Sequence, residues 1–576
     1  MTSGKIIKRV IRYIGRYKYS FILSLVLSLI STICTLYIPV LAGEAIDSIV
    51  GMGNVDFVRV GEILTKILVA LLVAGVSQYF TTTLNTKIAN NTVRDMRSDA
   101  FDTIQTVPIS YIDSRETGDI VSRIISDAEQ FSDGLILGFQ NLFTGIVTIL
   151  GTLFFMFTIN VWIALIVVVL TPISLFVSKF IAKKTYKYFK RQSEQRGKET
   201  SFIEEMISNI KTVKAYHREE KNQQKFDEIN EELGKTSLKA TFYSSITNPS
   251  TRFINSLVYA SVAVGGALFA MNSSTFSVGD LSAFLAYANQ YTKPFNDITG
   301  VVTELQNAIA CAGRILEVID APRETVCDKS FPKSNKGDFN VENVYFSYDK
   351  NKPLIEDLNF TLKSGQRLAV VGPTGCGKTT LINLLMRFYD IDSGKILLDG
   401  TDINSVSRKS LRENIGMVLQ DTWLKQGTIE ENIAFGYKSA TREEIIEASK
   451  KSHAHSFIKK LPNGYDTVVG EDGGNLSTGQ KQLICITRLM LNPPPILILD
   501  EATSSIDLVT EQRITRSFMK LMKDRTSFVV AHRLKTIVES DLILVMKDGK
   551  VIERGTHKDL LSQKGFYFEL YKSQFD

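Results

Sequence analysis

Six apolar stretches in the first 310 residues limit what this chain can become. They fall at roughly 19–41, 63–86, 137–158, 161–182, 254–272 and 278–302, each near the about 20 residues that a bilayer-crossing helix needs. Hydrocarbon offers no water to peptide groups, so such stretches must close their hydrogen bonds internally, as helices do. The sixth is the most polar, with Tyr287, Asn289, Gln290, Tyr291, Lys293, Pro294, Asn296 and Asp297. It reads either as a helix end emerging into water or as the wall of a polar path between helices. Tyr, Asn and Gln recur through its middle, which favours the second reading.

Charge placement gives an orientation. Segment 42–62 has one basic residue, Arg59, against Glu44, Asp47, Asp56 and Glu62, whereas 87–135 and 183–250 are long and rich in Lys and Arg. The positive-inside rule then predicts that both termini and both long segments are cytoplasmic, in the cell membrane. The long segments keep helical periodicity, so the membrane helices are expected to continue into the cytosol. The net charge of +6, from 67 basic and 61 acidic residues, lies largely beside apolar stretches and gives no reason to expect nucleic acid. The N-terminal Lys5–Arg16 segment is too basic and interrupted for a cleavable signal. With Ile6, Val10 and Ile14 four apart, it predicts an amphipathic helix on the inner membrane surface or an ordinary surface helix. Five scattered cysteines without a C-x-x-C pair predict neither a metal site nor a disulfide framework.

Composition changes near residue 310. Segment 312–338, with Pro322, Pro332 and Gly337, reads as a linker, and 339–576 alternates strand and helix patterns. Within it, Gly372-Pro-Thr-Gly-Cys-Gly-Lys-Thr379 fits G-x-x-x-x-G-K-[ST] completely. A buried-strand pattern, Arg367-Leu-Ala-Val-Val371, precedes it. A helical pattern with Leu381, Leu384, Leu385 and Phe388 follows. Gly372, Thr374, Gly375, Cys376 and Gly377 would turn backbone N–H groups toward phosphate oxygens, and Thr380 opens the helix behind them. Lys378 would neutralise the β- and γ-phosphates, and Thr379 would hold Mg²⁺.

A second element supports nucleotide chemistry. Ile496-Leu-Ile-Leu-Asp500 is an apolar strand ending in a carboxylate and followed by Glu501. Asp500 would bind Mg²⁺ through water, and Glu501 would polarise the attacking water. Leu476-Ser-Thr-Gly-Gln480 precedes a helical stretch. Ser477, Thr478, Gly479 and Gln480 could present N–H groups and a hydroxyl to phosphate, although alone they make an ordinary capped helix start.

In that order, these motifs resemble ABC transporters, and the whole chain resembles an exporter-type half-transporter of the type IV fold. The resemblance implies an all-α six-helix transmembrane domain at 1–311, with an N-terminal elbow helix, followed by the linker and an α/β P-loop ATPase domain at 339–576. It implies that Tyr348 stacks on adenine, that Gln420 contacts Mg²⁺ and faces the membrane domain, and that His532 contacts the γ-phosphate. Thr467-Val-Val-Gly-Glu471 is similar to the X-loop and Ser504-Ser-Ile-Asp507 to the D-loop. Pro108–Gly118, with Ser122, Arg123 and Asp127, and Lys211–Tyr216 resemble the coupling regions. His217, His453 and His455 are expected at the surface, and His557 at a structural position.

One P-loop and one signature per chain imply a dimer, with ATP clamped between the P-loop of one chain and the signature of the other. The family favours glycine where this chain has Thr478, and alanine where it has Thr487. Together with the retained Glu501 and His532, this resembles the catalytically competent member of a heterodimeric bacterial multidrug exporter, so a heterodimer is favoured over a homodimer. The expected cofactors are ATP and Mg²⁺. The expected function is ATP-driven export of amphipathic drugs, lipids or peptides, in contact with membrane lipid. A siderophore or metal-chelate importer built on the same fold and a homodimeric lipid flippase are the alternatives. A soluble P-loop ATPase acting on DNA is excluded by the apolar spans, and an ATP-gated channel would conduct without sustained hydrolysis.

Overall fold

The computed structural model describes residues 2–575 except 50–54, 273–275, 325–326, 328, 333–335, 420–421, 438, 471–472, 501–506 and 531–536. The chain divides into two compact units. The first comprises Met1–Gln105 with Arg115–Ala321, and the second Thr106–Ser114 with Pro322–Asp576.

The first unit is helical. It contains α1 (Ser3–Ile14), α2 (Lys18–Asp47), α3 (Phe57–Ile104), α5 (Thr117–Ile124), α6 (Ser126–Ile159), α7 (Val161–Ser208), α8 (Ile210–Ala215), α9 (Glu219–Asn272) and α10 (Val278–Ile319). The short α4 (Ile109–Asp113) belongs to the second unit. At 48, 48 and 54 residues, α3, α7 and α9 run far beyond the length a bilayer requires. Among the described residues, four helical stretches meet the length and hydropathy of a membrane span: Ser3–Asp47, Phe57–Ile104, Thr117–Ile159 and Glu219–Met271. Val161–Pro172 is a shorter apolar piece of α7. The polar sixth candidate does not qualify on hydropathy, yet it folds as the continuous helix α10.

One expectation changes here, and one open alternative is decided. The linker does not start at 312: α10 continues to Ile319, with Ala312, Ile315 and Leu316 buried. The Pro and Gly further on mislead, because the apolar spacing of 312–319 still serves a helix face. The elbow helix α1 also turns its apolar face onto protein. Ile6, Val10 and Tyr13 are buried in a cluster with Val93, Met96 and Leu316. Arg9 pairs with Asp320, and the Tyr13 hydroxyl donates to Asp99 at 2.6 Å. Ile7 and Ile11 remain exposed on its other side. At the opposite end of the bundle, α2 and α10 meet through glycine. A Cβ on Gly279 would lie 2.2 Å from the Gly43 carbonyl oxygen. Asp47 accepts from the Ser277 hydroxyl at 2.6 Å and from the Gly279 N–H at 2.8 Å.

The second unit is α/β. Its strands are β1 (Phe339–Phe346), β2 (Ile355–Leu362), β3 (Arg367–Val371), β4 (Ser393–Leu398), β5 (Thr401–Asp402), β6 (Ile415–Val418), β7 (Gly427–Thr428), β8 (Val468–Val469), β9 (Ile496–Asp500), β10 (Thr526–Val530), β11 (Leu542–Lys547) and β12 (Lys550–Gly555). One sheet runs β2-β1-β4-β5 and is antiparallel. The larger runs β12-β11-β3-β10-β9-β6, and its inner strands are parallel. Every residue of β9 and β10 is buried, which is why both read as unbroken apolar runs. Helices α11 (Lys378–Leu385), α12 (Arg408–Arg412), α13 (Ile429–Ile433), α14 (Arg442–Lys451), α15 (His455–Ile458), α16 (Thr478–Leu491) and α17 (Leu508–Met522) cover the sheets. One core, including Phe339, Leu381, Leu385 and Phe528, fills the space between the two sheets and α11.

Candidate nucleotide site

Parallel pairing places the chemistry. Val530 at the end of β10 stands opposite both Val370 of β3 and Asp500 of β9. The P-loop leaves β3 at this carboxyl edge, where ligands bind in open α/β sheets. A cleft of about 390 Å³ lies there, lined by Thr374, Gly375 and Gly377 through Thr380, together with Leu354, Asp500 and Val530. Asp500 is 6% exposed, at the wall of the cleft.

The loop needs its glycines. Gly377 has φ +102°, in the left-handed region, and directly precedes α11. A Cβ on Gly372 would fall 2.2 Å from the Met546 carbonyl oxygen and 2.7 Å from the Cys376 sulfur. Cys376 itself is buried, and burial pushes its thiol above the ordinary range against the pull of Lys378. It therefore stays neutral at physiological pH and adds no negative charge beside a phosphate. The Lys378 ammonium donates to the Gly372 and Pro373 carbonyls, each at 2.9 Å. A cation beside a glycine-rich loop, with a carboxylate across the cleft, suits a nucleotide's phosphates and a divalent cation. Lys378, Thr379, Thr380, Gly375 and Gly377 line the cleft together with Asp500, so the first five could hold phosphates, and Thr379 and Asp500 a metal.

Tyr348 is 52% exposed. Its hydroxyl receives a bond from the Asn383 amide at 3.2 Å and lies 3.4 Å from Thr380 Oγ1. Its ring meets Phe346 and Tyr389 edge-on, each at 4.9 Å between centroids. Tyr348 is thereby fixed beside the first turn of α11 while one face stays open for a base.

Ser477 caps α16. Its hydroxyl accepts from the Gln480 N–H at 3.3 Å, and its own N–H donates to Gln480 Oε1 at 3.0 Å. This is the reciprocal capping box. Ser477 and Thr478 are exposed and Gly479 is buried. None of Ser477 to Gln480 is among the described residues lining the P-loop cleft. Asp507 caps α17, accepting from Val509 N–H at 3.1 Å and Thr510 N–H at 2.9 Å. Those bonds, the Thr510 N–H foremost, hold its carboxyl below the usual range. Gln420, Glu501, His532, Glu471 and residues 504–506 of the D-loop lie outside the described residues.

The structure also explains residues whose part the motifs did not reveal. Thr487 is buried, donates to the Leu483 carbonyl at 2.6 Å, and sits 2.7 Å from the Ser452 hydroxyl. Its departure from alanine is thus a core hydrogen bond and no longer bears on the choice between heterodimer and homodimer. Arg488, one residue on, donates to the Asn432 carbonyl at 2.6 Å and to the Trp423 carbonyl at 3.1 Å. It ties α16 to the segment just after Gln420. A lone arginine on the otherwise apolar face of α16 was the available signal.

Tyr389 connects Tyr348 to α4. Its hydroxyl donates to the Asp113 carboxylate, and its ring abuts Tyr348. Burial and this bond push its hydroxyl well above the ordinary range, so it remains a donor through neutral pH. In the first unit, Arg314 makes a two-point contact with Asp127 at 2.6 and 2.5 Å. Arg123 bonds Asp119 at 3.0 Å and Glu317 at 2.9 Å. Asp119, Arg123 and Asp127 thus serve to lock α5 and α6 onto α10. His455 and His557 each bond a tyrosine hydroxyl, Tyr465 at 2.9 Å and Tyr567 at 2.7 Å.

A helical unit carrying membrane-length apolar helices, joined to an α/β unit with a complete P-loop, defines a membrane-embedded P-loop ATPase. Residues 21–295 match the ABC transporter transmembrane region, and residues 355–504 match the ABC transporter ATPase family. A fatty acid ABC transporter ATP-binding/permease protein of Mycobacterium tuberculosis is 39% identical over 520 residues, covering 90% of this chain and 82% of its own. An ATP-dependent lipid A-core flippase of Vibrio cholerae is 32% identical over 576 residues, covering 100% of this chain and 98% of its own. A bacterial Atm1-family ABC exporter solved with ATP bound superposes with TM-score 0.78 at 27% identity, covering 98% of both chains. The chain belongs to the ABC transporter family, with the exporter fold. It is a membrane protein that binds and hydrolyses ATP to drive export.

Proposed function

We propose that this chain is one half of a dimeric exporter in the cytoplasmic membrane, with both termini and the ATPase unit in the cytosol, moving amphipathic molecules outward by alternating access. The observation that supports the dimer is that the capped start of α16 is absent from the described residues lining the chain's own P-loop cleft. A second chain must then bring its own helix start to cover the nucleotide. The segment around α8 agrees, since Ile207, Ile210 and Tyr216 are 67%, 44% and 74% exposed and suit docking onto another protomer.

In this reading Lys378, Thr380 and the loop N–H groups bind the phosphates. Thr379, Asp500 and Gln420 hold Mg²⁺, and Tyr348 holds the base. Glu501 polarises the water and His532 orients toward the γ-phosphate. The bound nucleotide supplies the contacts that favour the closed pair; hydrolysis removes them, and differential affinity shifts the equilibrium. Thr478 adds a Cβ where a phosphate would approach, which favours a heterodimer whose other half carries the better signature. For Thr478→Gly, total ATPase of the assembled transporter is expected to rise; an unchanged rate would favour two equivalent sites.

Tyr389 is read as a positioning residue between nucleotide and α4. Tyr389→Phe removes the donor to Asp113 and keeps the ring against Tyr348. ATP hydrolysis is expected to continue while substrate moved per ATP falls about tenfold or more, the scale of losing a hydrogen bond to a charged group, about 1.5–3 kcal/mol. An unchanged ratio would remove Tyr389 from coupling. The export reading is tested with inside-out vesicles holding this chain and its second half. ATP-dependent accumulation of a fluorescent amphiphile against its gradient is expected. Dissipation of a preset gradient without sustained hydrolysis would mean a channel instead.

A further inference from the structure

Within the first unit a cavity of about 540 Å³ lies among α2, α3, α6 and α10, in the size range of small-molecule sites. Its lining is chemically one-sided. Ten uncharged polar side chains face it, among them Thr35, Gln78, Asn141 and Gln290, with one cation, Lys293. No carboxylate occurs among the described residues that line it. Polar side chains at membrane depth are costly and mark pathways for polar cargo. An ammonium set among uncharged polar side chains attracts an anion, the more strongly the less water surrounds it.

A second observation points to a ligand. Gln290 Oε1 is buried and has no hydrogen-bond partner among the described residues. Such an acceptor normally has a donor from protein, water or ligand. Gln290 precedes Lys293 by three residues on α10, so both occupy one face of that helix. The hydroxyls nearby are satisfied from within the bundle: Ser31 donates to the Ala74 carbonyl at 3.0 Å and Thr35 to the Ser31 carbonyl at 2.8 Å.

Depth agrees from two directions, given the orientation proposed above. Lys293 is fifteen residues into α10, about 22 Å from its outer end at 1.5 Å per residue. That is the inner half of a core about 30 Å thick. Asn141 and the polar residues near it stand in the first turns of the third span, which enters from the cytosolic side. Elsewhere on α2 and α3, Leu29, Ile33, Leu72 and Val76 are exposed and apolar, an outer surface suited to acyl chains.

We infer that this cavity takes the anionic head group of a single- or double-tailed amphiphile, with Lys293 as its counter-charge and Gln290 accepting from a head-group hydroxyl, N–H or hydration water. The inference rests on the export reading and narrows its substrate class. A carboxylate and a phosphate share this chemistry.

The test is ATP-dependent transport by the reconstituted full transporter. The probes have matched tails and carry a carboxylate, a phosphate monoester, a quaternary ammonium or a neutral alcohol. Both anions are expected to be transported at concentrations about tenfold or more below the cation, and the better of the two identifies the head group. Lys293→Glu is expected to invert the ranking toward the cation, and Lys293→Arg to keep it. A misfolded variant would lose all transport rather than exchange its preference. Cation preference in the native protein, or an unaltered ranking in Lys293→Glu, overturns the inference and leaves export standing. Failure to move any of the four probes would overturn both readings.

Discussion

Glu501→Gln is expected to lower steady-state ATP turnover of the assembled transporter by about 10²–10⁴-fold, the range a positioned general base contributes. Nucleotide binding should survive. Glu501 follows Asp500, which ends β9 at the wall of the P-loop cleft, and the amide keeps the size of the side chain while losing its basicity. Asp500, Thr379 and Lys378 are untouched, so the phosphates and Mg²⁺ retain their ligands. Phosphate release and retained nucleotide should be measured on the same sample. The expected result is trapped ATP with almost no product. Turnover close to that of the native protein would move the base elsewhere.

Lys378→Ala acts at the preceding step. The ammonium now bridges the Gly372 and Pro373 carbonyls at 2.9 Å, which holds it over the mouth of the loop where β- and γ-phosphates would sit. Each charge-assisted bond to phosphate is worth about 1.5–3 kcal/mol, so ATP affinity is expected to fall about 100-fold or more. The fold should tolerate the change. Lys378 is only partly buried and Pro373 is exposed, so water can take over the released carbonyls. Nucleotide titration and thermal unfolding without nucleotide separate the two effects. A large affinity loss with a small shift in melting is predicted. Native affinity would exclude Lys378 from the phosphates, and collapse of the unliganded fold would make its role structural.

What was legible in the sequence follows from how local each constraint is. The P-loop shows itself in eight consecutive residues because the backbone there needs glycine; at Gly372 a side chain would strike the Met546 carbonyl. The long helices declare themselves by run length and period. Contacts between distant parts of the chain leave no such mark. Tyr389 and Asp113 are 276 positions apart, and nothing at either position announces the other. Thr487 looked like a functional departure because its neighbour Ser452, 35 residues earlier, is invisible in a motif. The apolar stripe of α1 suits a membrane surface or a protein groove equally well, and only the packing of Ile6, Val10 and Tyr13 chooses the groove. The polar sixth span was legible in composition, but its meaning came from Lys293 and Gln290 sharing a cavity with residues of three other helices.

The central claim is that ATP joins two protomers through their nucleotide-binding units. Its most direct measurement is the distance between spin labels at the exposed Lys459 position of this chain and at the corresponding surface of its second half, in reconstituted Glu501→Gln protein. ATP with Mg²⁺ should convert a long, broad distance distribution into a short, narrow one, and Lys378→Ala in the same background should abolish the conversion. A distribution that ignores ATP, in protein shown to have bound it, would contradict the account.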